Sequence, residues 1–193
     1  MILVSKKIDT AIWTALDIGS PDVTVINLKT DASNITIYNF YCDQQHSKVI
    51  TSTDNFAQER ARNNRTLARN THHIWLGDFN RHHPNWDNPR NVHFFTRHNL
   101  DMAQTLINTT TQHDLALPET TPTLRAMSTQ NYTRPDNVLM LPFLHQLLTL
   151  CDMRAEDQPT KTDHFPIDIM INLELRKRKG TSEMSTGRHL QKT

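Results

Sequence analysis

Glycine is scarce in this chain: four in 193 residues, at positions 19, 77, 180 and 187. No two have the spacing of GxGxxG or GxxxxGK[ST], which excludes the dinucleotide fingerprint and the phosphate-cradling P-loop. Two cysteines, Cys42 and Cys151, cannot build a four-cysteine zinc site or a disulfide framework. No apolar run approaches the ~18 residues of a membrane span. The opening MILVSKK places four apolar residues before two lysines, too short and in the wrong order for a secretory leader. These absences lead us to expect an intracellular protein. Apolar residues are 36 % of the chain, below the ~45–50 % usual in globular proteins, so a lean core is expected.

The net charge of +1 conceals a division. Residues 176–193 hold six basic side chains against one acid, +5, leaving 15 basic and 19 acidic side chains, −4, in the rest. We therefore expect an ordered domain over 1–175 and a basic, disordered tail over 176–193. The tail reads either as a solvated terminus or as a nucleic-acid or nuclear-localisation patch.

Within the domain, residues 22–28 (DVTVINL) and 34–41 (NITIYNFY) alternate and are rich in β-branched and aromatic residues. They predict two strands joined by a polar turn as an antiparallel hairpin. Residues 52–68 contain neither proline nor glycine and open on capping residue types, which predicts a helix. HIWLG over 73–77 reads as a short buried strand. The stretch 78–97, with Pro84 and Pro89, reads as a long loop, and loops of that length are commonly functional. A helix is expected over 99–113, strand pieces over 115–117, 123–126 and 134–141, a short helix opened by Pro142, and closing strands over 150–154 and 167–175. Strands on both sides of the helices, with hairpins as well as crossovers, predict a mixed-sheet α/β domain and not a doubly wound parallel one.

Three polar clusters stand at predicted strand ends. In Gly77-Asp78-Phe79-Asn80, a dry strand delivers a carboxylate and an amide two residues apart, on one face. Thr162-Asp163-His164-Phe165-Pro166-Ile167 sets a carboxylate beside an imidazole, the one able to hold a hard cation and the other titrating near neutrality. Arg134-Pro135-Asp136-Asn137 opens a strand, and Asp136 becomes meaningful if it pairs with His164 and raises its pKa. Each cluster alone is equally well read as a turn or strand cap. The histidines at 72, 73, 82 and 83 match no zinc spacing. Trp13 and Trp75 are assigned to the core.

In this order, GDFN after a buried strand, Asp leading a strand and S/T-D-H-x-P-I near the end resemble the endonuclease/exonuclease/phosphatase superfamily. GDFNRHHPNWDNPR and TRPDNVLMLPFL look most like the endonuclease domains of non-LTR retrotransposons. The resemblance runs from about residue 1 to 173. It implies a four-layer α/β (α+β) sandwich of two mixed β-sheets flanked by helices, and a Mg²⁺- or Mn²⁺-dependent hydrolase that nicks DNA by in-line attack of water. Asp78 matches the residue that orients or deprotonates the water, and Asn80 the one that holds the phosphate or the water. Asp136 and His164 match the pair that stabilises developing charge, and Asp163 the residue at the metal. Tyr41 matches the tyrosine that contacts the reacting phosphate. His82, His83 and Trp86, on the loop after Asp78, are candidates for sugar–phosphate contact or base stacking; a loop anchored by a buried Trp86 is the competing reading. A reverse transcriptase is the implied companion in a parent element.

The chain departs from the family pattern in two places. After Tyr41, family members often carry Ala-Pro-Asn, and here stand Cys42-Asp43-Gln44. The family also opens with a strand bearing an Asn motif and a second ending in a metal-ligating Glu, whereas Met1–Val4 resembles a strand that follows both. This leads us to expect a domain lacking its first strands, impaired in activity, with the sheet face those strands would cover left exposed or loosely packed. The alternatives are a catalytically inactive remnant with weak nucleic-acid binding and a phosphatase of the same fold.

Overall fold

The computed structural model describes residues 1–30, 33–63, 65, 70–118 and 121–173. The basic tail and the last residues of the helix expected over 52–68 lie outside these. The alternating segments form the expected hairpin. Strand β2 (Val23–Lys29) pairs antiparallel with β3 (Asn34–Tyr41), in the register Val25 opposite Tyr38. Strand β1 (Trp13–Leu16) adds to the outer side of β2. Trp13 lies half-buried on this edge strand and not in the core. Residues 1–5 form no strand, and Met1 and Leu3 are 88 % and 83 % exposed. That apolar segment finds no ladder partner among the described residues, so Met1–Val4 does not form the strand expected of it.

Helix α1 (Lys48–Asn63) begins four residues before the expected start. The capping types at 52–54 misled, because Val49 and Ile50 are buried and extend the helical face backwards. The chain then returns through β4 (Thr71–Asp78), parallel to β3. Helix α2 (Arg97–Gln112), capped by Thr96, crosses back over the same face as α1. Short strands β5 (Leu124–Arg125) and β6 (Tyr132–Thr133) form a separate hairpin, and β7 (Asp136–Met140) pairs antiparallel with β4. Pro142 opens helix α3 (Pro142–Leu147), and β8 (Leu148–Met153) pairs with β9 (Ile167–Ile171).

The fold is thus a mixed α/β arrangement, with the five-stranded sheet β1-β2-β3-β4-β7 at its centre. On one face, Tyr38, Phe40, Trp75 and Phe79 stack with ring centroids 5.0 to 6.4 Å apart and are covered by Val49, Ile50, Ala103 and Leu106 of α1 and α2. Each such ring pair adds about 0.5–1.5 kcal/mol beyond the area it buries. On the other face, Ile35, Ile74, Val138 and Met140 meet Leu144 of α3 and the β8–β9 pair. Among the described residues, two antiparallel strands stand where the second mixed sheet was expected. Leu28, Ile37 and Leu76 on this face, and Ile167, Ile169 and Ile171 opposite them, are only half-buried.

Gly77 sets the meeting of β3 and β4. It has φ +126°, and a Cβ there would stand 2.2 Å from the Phe40 carbonyl oxygen. Gly19 also has positive φ but has open space around it. Gly77→Ala is expected to lower the melting temperature by roughly 10 °C, or about 3 kcal/mol, because backbone and not a side chain must yield. Gly19→Asn should cost far less, since asparagine tolerates the left-handed region. Thermal melts of the two variants make the comparison.

Candidate active site

Strand register builds the site. Tyr41, the last residue of β3, is opposite Asp78, the last of β4, and Asp78 is opposite Asp136, the first of β7. Opposed residues share a face of the pleat, so one phenol and two carboxylates form a row across three strand ends. The row lies on the half-covered face, because Tyr38, Phe40 and Trp75 point to the helices and their sequence neighbours point away.

His164 comes to this row from the far end of the sequence. Its Nδ1 donates to Asp136 Oδ2 at 2.8 Å, and Nε2 lies 3.9 Å from Asp163 Oδ1. The Thr123 hydroxyl donates to the same Asp136 oxygen at 2.9 Å and accepts from the Asp136 backbone N–H at 3.2 Å. Backbone bonds from Arg125 to the Asp163 carbonyl and from Phe165 to the Thr123 carbonyl fix His164 beside β5. Thr123 is the residue sequence reasoning missed: a buried threonine just before a two-residue strand gives no chemical signal of its own.

Asn80 turns the chain at the end of β4. Its φ is +48°, a left-handed conformation that asparagine accepts at little cost. Its backbone N–H and Nδ2 both reach the Asp78 carboxylate at 3.0 Å, and Nδ2 also donates to the Cys42 carbonyl at 2.7 Å. Gln44 Nε2 stands 3.5 Å from Asn80 Oδ1. The wall formed by Asp43, Gln44 and Gln45 is held from behind by Arg81. This fully buried guanidinium donates to the carbonyls of Asp43 (2.7 Å), Asn80 (3.0 Å) and His46 (2.9 Å). Asp43 accepts from the N–H groups of Gln45 and His46, an Asx-type turn readable in hindsight from Asp43 preceding a helix start. Together Tyr41, Asp43, Gln44, Gln45, Asp78, Asn80 and His164 line an open cleft of about 540 Å³.

The loop candidates turn inward. Trp86 is buried and donates its indole N–H to the Arg81 carbonyl at 2.9 Å. The buried Asp87 meets His82 Nδ1 at 3.0 Å and accepts the Arg134 backbone N–H at 2.8 Å. The His82 ring stacks on Phe94, and the His83 ring lies against Trp86 with Nδ1 accepting from the Asn85 N–H. Trp86 therefore anchors the loop and does not face the cleft. His72 and His73 lie apart from the cleft, His72 against Phe143 and His73 buried beside Tyr38, where burial holds it down at about 4.

Electrostatics single out two groups. Burial raises the Asp78 pKa, and the charge of Asp136 opposite raises it further against the hydrogen bonds from Asn80. The bond to Asp136 raises the His164 pKa, with the charges of Asp136, Asp78 and Asp163 adding to it. One ligand atom each from Asp78, Asp136 and His164 lie within 4.8 Å of one another, so the two carboxylates can share a cation beside the imidazole. Asp163, expected at the metal, stands beside the imidazole and outside that trio.

The model of the endonuclease–reverse transcriptase family matches residues 35–168. A sequence comparison with curated proteins finds no match. Among solved structures, the fold is similar to the endonuclease domain of TRAS1, a telomere-specific non-LTR retrotransposon. The TM-score is 0.56 at 17 % identity, over 84 % of this chain and 67 % of that one. It is also similar to the AP endonuclease LMAP from Leishmania major, with TM-score 0.61 at 14 % identity over 87 % and 58 %. A third likeness is to the 3′ phosphatase NExo from Neisseria bound to product DNA hairpin, with TM-score 0.52 at 16 % identity over 79 % and 66 %. The chain thus spans between 58 % and 67 % of the length of these structures. Identities this low establish a shared fold. No described helix is long and apolar enough to cross a membrane.

A raised His164 pKa has a definite sign. Its bond to Asp136 adds stability below the ordinary imidazole value of 6.5, and the contribution is lost as pH rises through the higher folded value. In metal-free protein, NMR of the His164 ring nitrogens should show titration above an ordinary imidazole. Asp136→Asn should bring that titration back down and flatten this part of the stability–pH curve.

Proposed function

The chain belongs to the endonuclease–reverse transcriptase family, and from that premise we propose that it hydrolyses phosphodiester bonds in DNA by in-line attack of water. The observation that carries this reading is the row of Tyr41, Asp78 and Asp136 across three strand ends, with His164 bonded to its far member. Phosphoryl transfer asks for positioning and charge stabilisation more than covalent help. Asp78, held by Asn80 and with its pKa raised, is the group that accepts the proton of the attacking water. His164, fixed through Nδ1, presents Nε2–H to the phosphoryl oxygens, and its raised pKa favours the cationic form. Tyr41, 60 % exposed at the cleft mouth, offers its hydroxyl to the same phosphate. Asn80 acts as the orienter of Asp78, since its amide N–H groups are committed to protein oxygens. His82 and His83 hold the loop that borders the cleft.

The donor set suits a hard divalent cation, Mg²⁺ or Mn²⁺, which the oxygens of Asp78 and Asp136 would hold; Asp163 stands close enough to His164 to tune the site. When bound, such an ion supplies charge neutralisation at the phosphoryl group. A reverse transcriptase as companion in a parent element follows from the family description alone. The competing reading is a non-catalytic protein. Its support is that, among the described residues, no glutamate lines the cleft: Glu59 is on α1 and Glu156 on the short turn 155–157.

Nicking of supercoiled plasmid should require Mg²⁺ or Mn²⁺ and stop with EDTA. Asp78→Ala and His164→Ala should each slow it by about 10²–10⁴. In metal-free protein Asp78 should titrate above the usual carboxylate range and His164 above the usual imidazole range, and added Mg²⁺ should lower both. Mg²⁺ should also raise the melting temperature of the native chain but not of Asp78→Ala. Neither nicking nor a Mg²⁺-dependent rise would select the non-catalytic reading. Release of phosphate from a 3′-phosphorylated oligonucleotide without nicking would select a phosphatase.

A further inference from the structure

Behind β7, away from the cleft, lies a second cavity of about 130 Å³. Its walls are Leu106 and Ile107 of α2, Leu115, Leu139 of β7 and the ring of Trp86, with Asn137 among its lining residues. Cavities of roughly 150 Å³ walled by aliphatic and aromatic side chains hold one benzene-sized ring. The polar groups define what else the occupant must carry. Asn85 stands at the exposed rim, where water satisfies it, and Thr110 already donates its hydroxyl to the carbonyls of Leu106 and Ile107. Asn137 is 1 % exposed and its Nδ2 has no partner among the described residues. Its orientation is fixed, because Arg134 Nε can only donate and meets Asn137 Oδ1 at 2.9 Å. An unpaired amide donor buried beside an apolar cavity is complementary to a single acceptor on an otherwise apolar molecule.

We propose that this cavity is a binding site for a small neutral ring compound bearing one hydrogen-bond acceptor, of the cyclic ketone class. The carbonyl meets Asn137 Nδ2 and the ring fills the space between Leu106, Leu115 and Leu139. The site is distinct from the cleft. Asp136 and Asn137 are consecutive on β7 and point to opposite faces, so the ligand is read through the strand and does not compete with a phosphate. Because the inference rests on the cavity and the orphaned amide, it stands whether or not the cleft cuts DNA.

The test titrates cyclohexanone and, separately, benzene into the full chain while recording methyl and side-chain amide NMR signals. Saturable shifts of Leu106, Ile107, Leu115 and Leu139 methyls are expected with both probes. A downfield shift of an Asn137 amide proton, the mark of a new hydrogen bond, is expected with cyclohexanone and not with benzene, whose effect is a ring-current shift, together with an affinity about tenfold higher for the ketone, as one added hydrogen bond gives. Ile107→Phe, at the half-buried rim, should abolish these shifts while the chain melts cooperatively. Equal affinity for the two probes would overturn the acceptor assignment. Absence of saturable shifts, or shifts persisting in a folded Ile107→Phe, would overturn the site and leave a solvent-filled cavity. If Ile107→Phe does not fold, the comparison of the two probes on the native chain decides.

Discussion

The approach of β4 to β3 at Gly77 is the constraint on which the rest of the structure depends. A side chain there would collide with the Phe40 carbonyl, and without that approach the two strands could not keep parallel register to their ends. Register is what aligns Tyr41 with Asp78 and, across the next ladder, Asp78 with Asp136. The Cys42 N–H then bonds to the Asp78 carbonyl, and the Phe79 N–H to that of Pro135, so the three strands leave the sheet together. In a chain with four glycines, one stands where no other residue would fit.

The polar groups of the site are then stabilised in layers. Two carboxylates directly opposed on a sheet repel, and burial of Asp78 adds to the cost. The structure offsets this with donors: Asn80 to Asp78, and Thr123 and His164 to Asp136. Burial raises the pKa of Asp78 and the bond to Asp136 that of His164, and the crowding of negative charge adds to both. The arrangement favours a bound proton or cation, which is the property a phosphate-cleaving site requires.

Much of this was legible in the sequence, and the reason differs from element to element. The hairpin β2–β3 was readable because one of its faces is dry and alternation follows. Asp78, Asn80, Asp136 and His164 were readable because their residue types occur in a fixed order at strand ends. The role of the loop after Asp78 was not, because His82 and Trp86 look alike whether they face solvent or a buried Asp87; only packing distinguishes the two. Arg81 was invisible for the opposite reason. A lone arginine in a polar loop is ordinarily solvated, yet here it is buried against three backbone carbonyls. The start of α1 was missed because Val49 and Ile50, which are buried, precede the residues whose type favours a cap.

The two walls of the cleft are held by different kinds of bond. Arg81 ties Asp43, Asn80 and His46 together, and a guanidinium keeps its proton at any pH where a protein stays folded. The facing wall depends on the His164–Asp136 pair, whose charge reinforcement disappears once the imidazole is neutral. On going alkaline, the cleft therefore softens from one side only. The Gln44 wall keeps its shape while the His164 wall gains freedom, so fraying in base should be lopsided, beginning at the segment that carries Asp163 and His164.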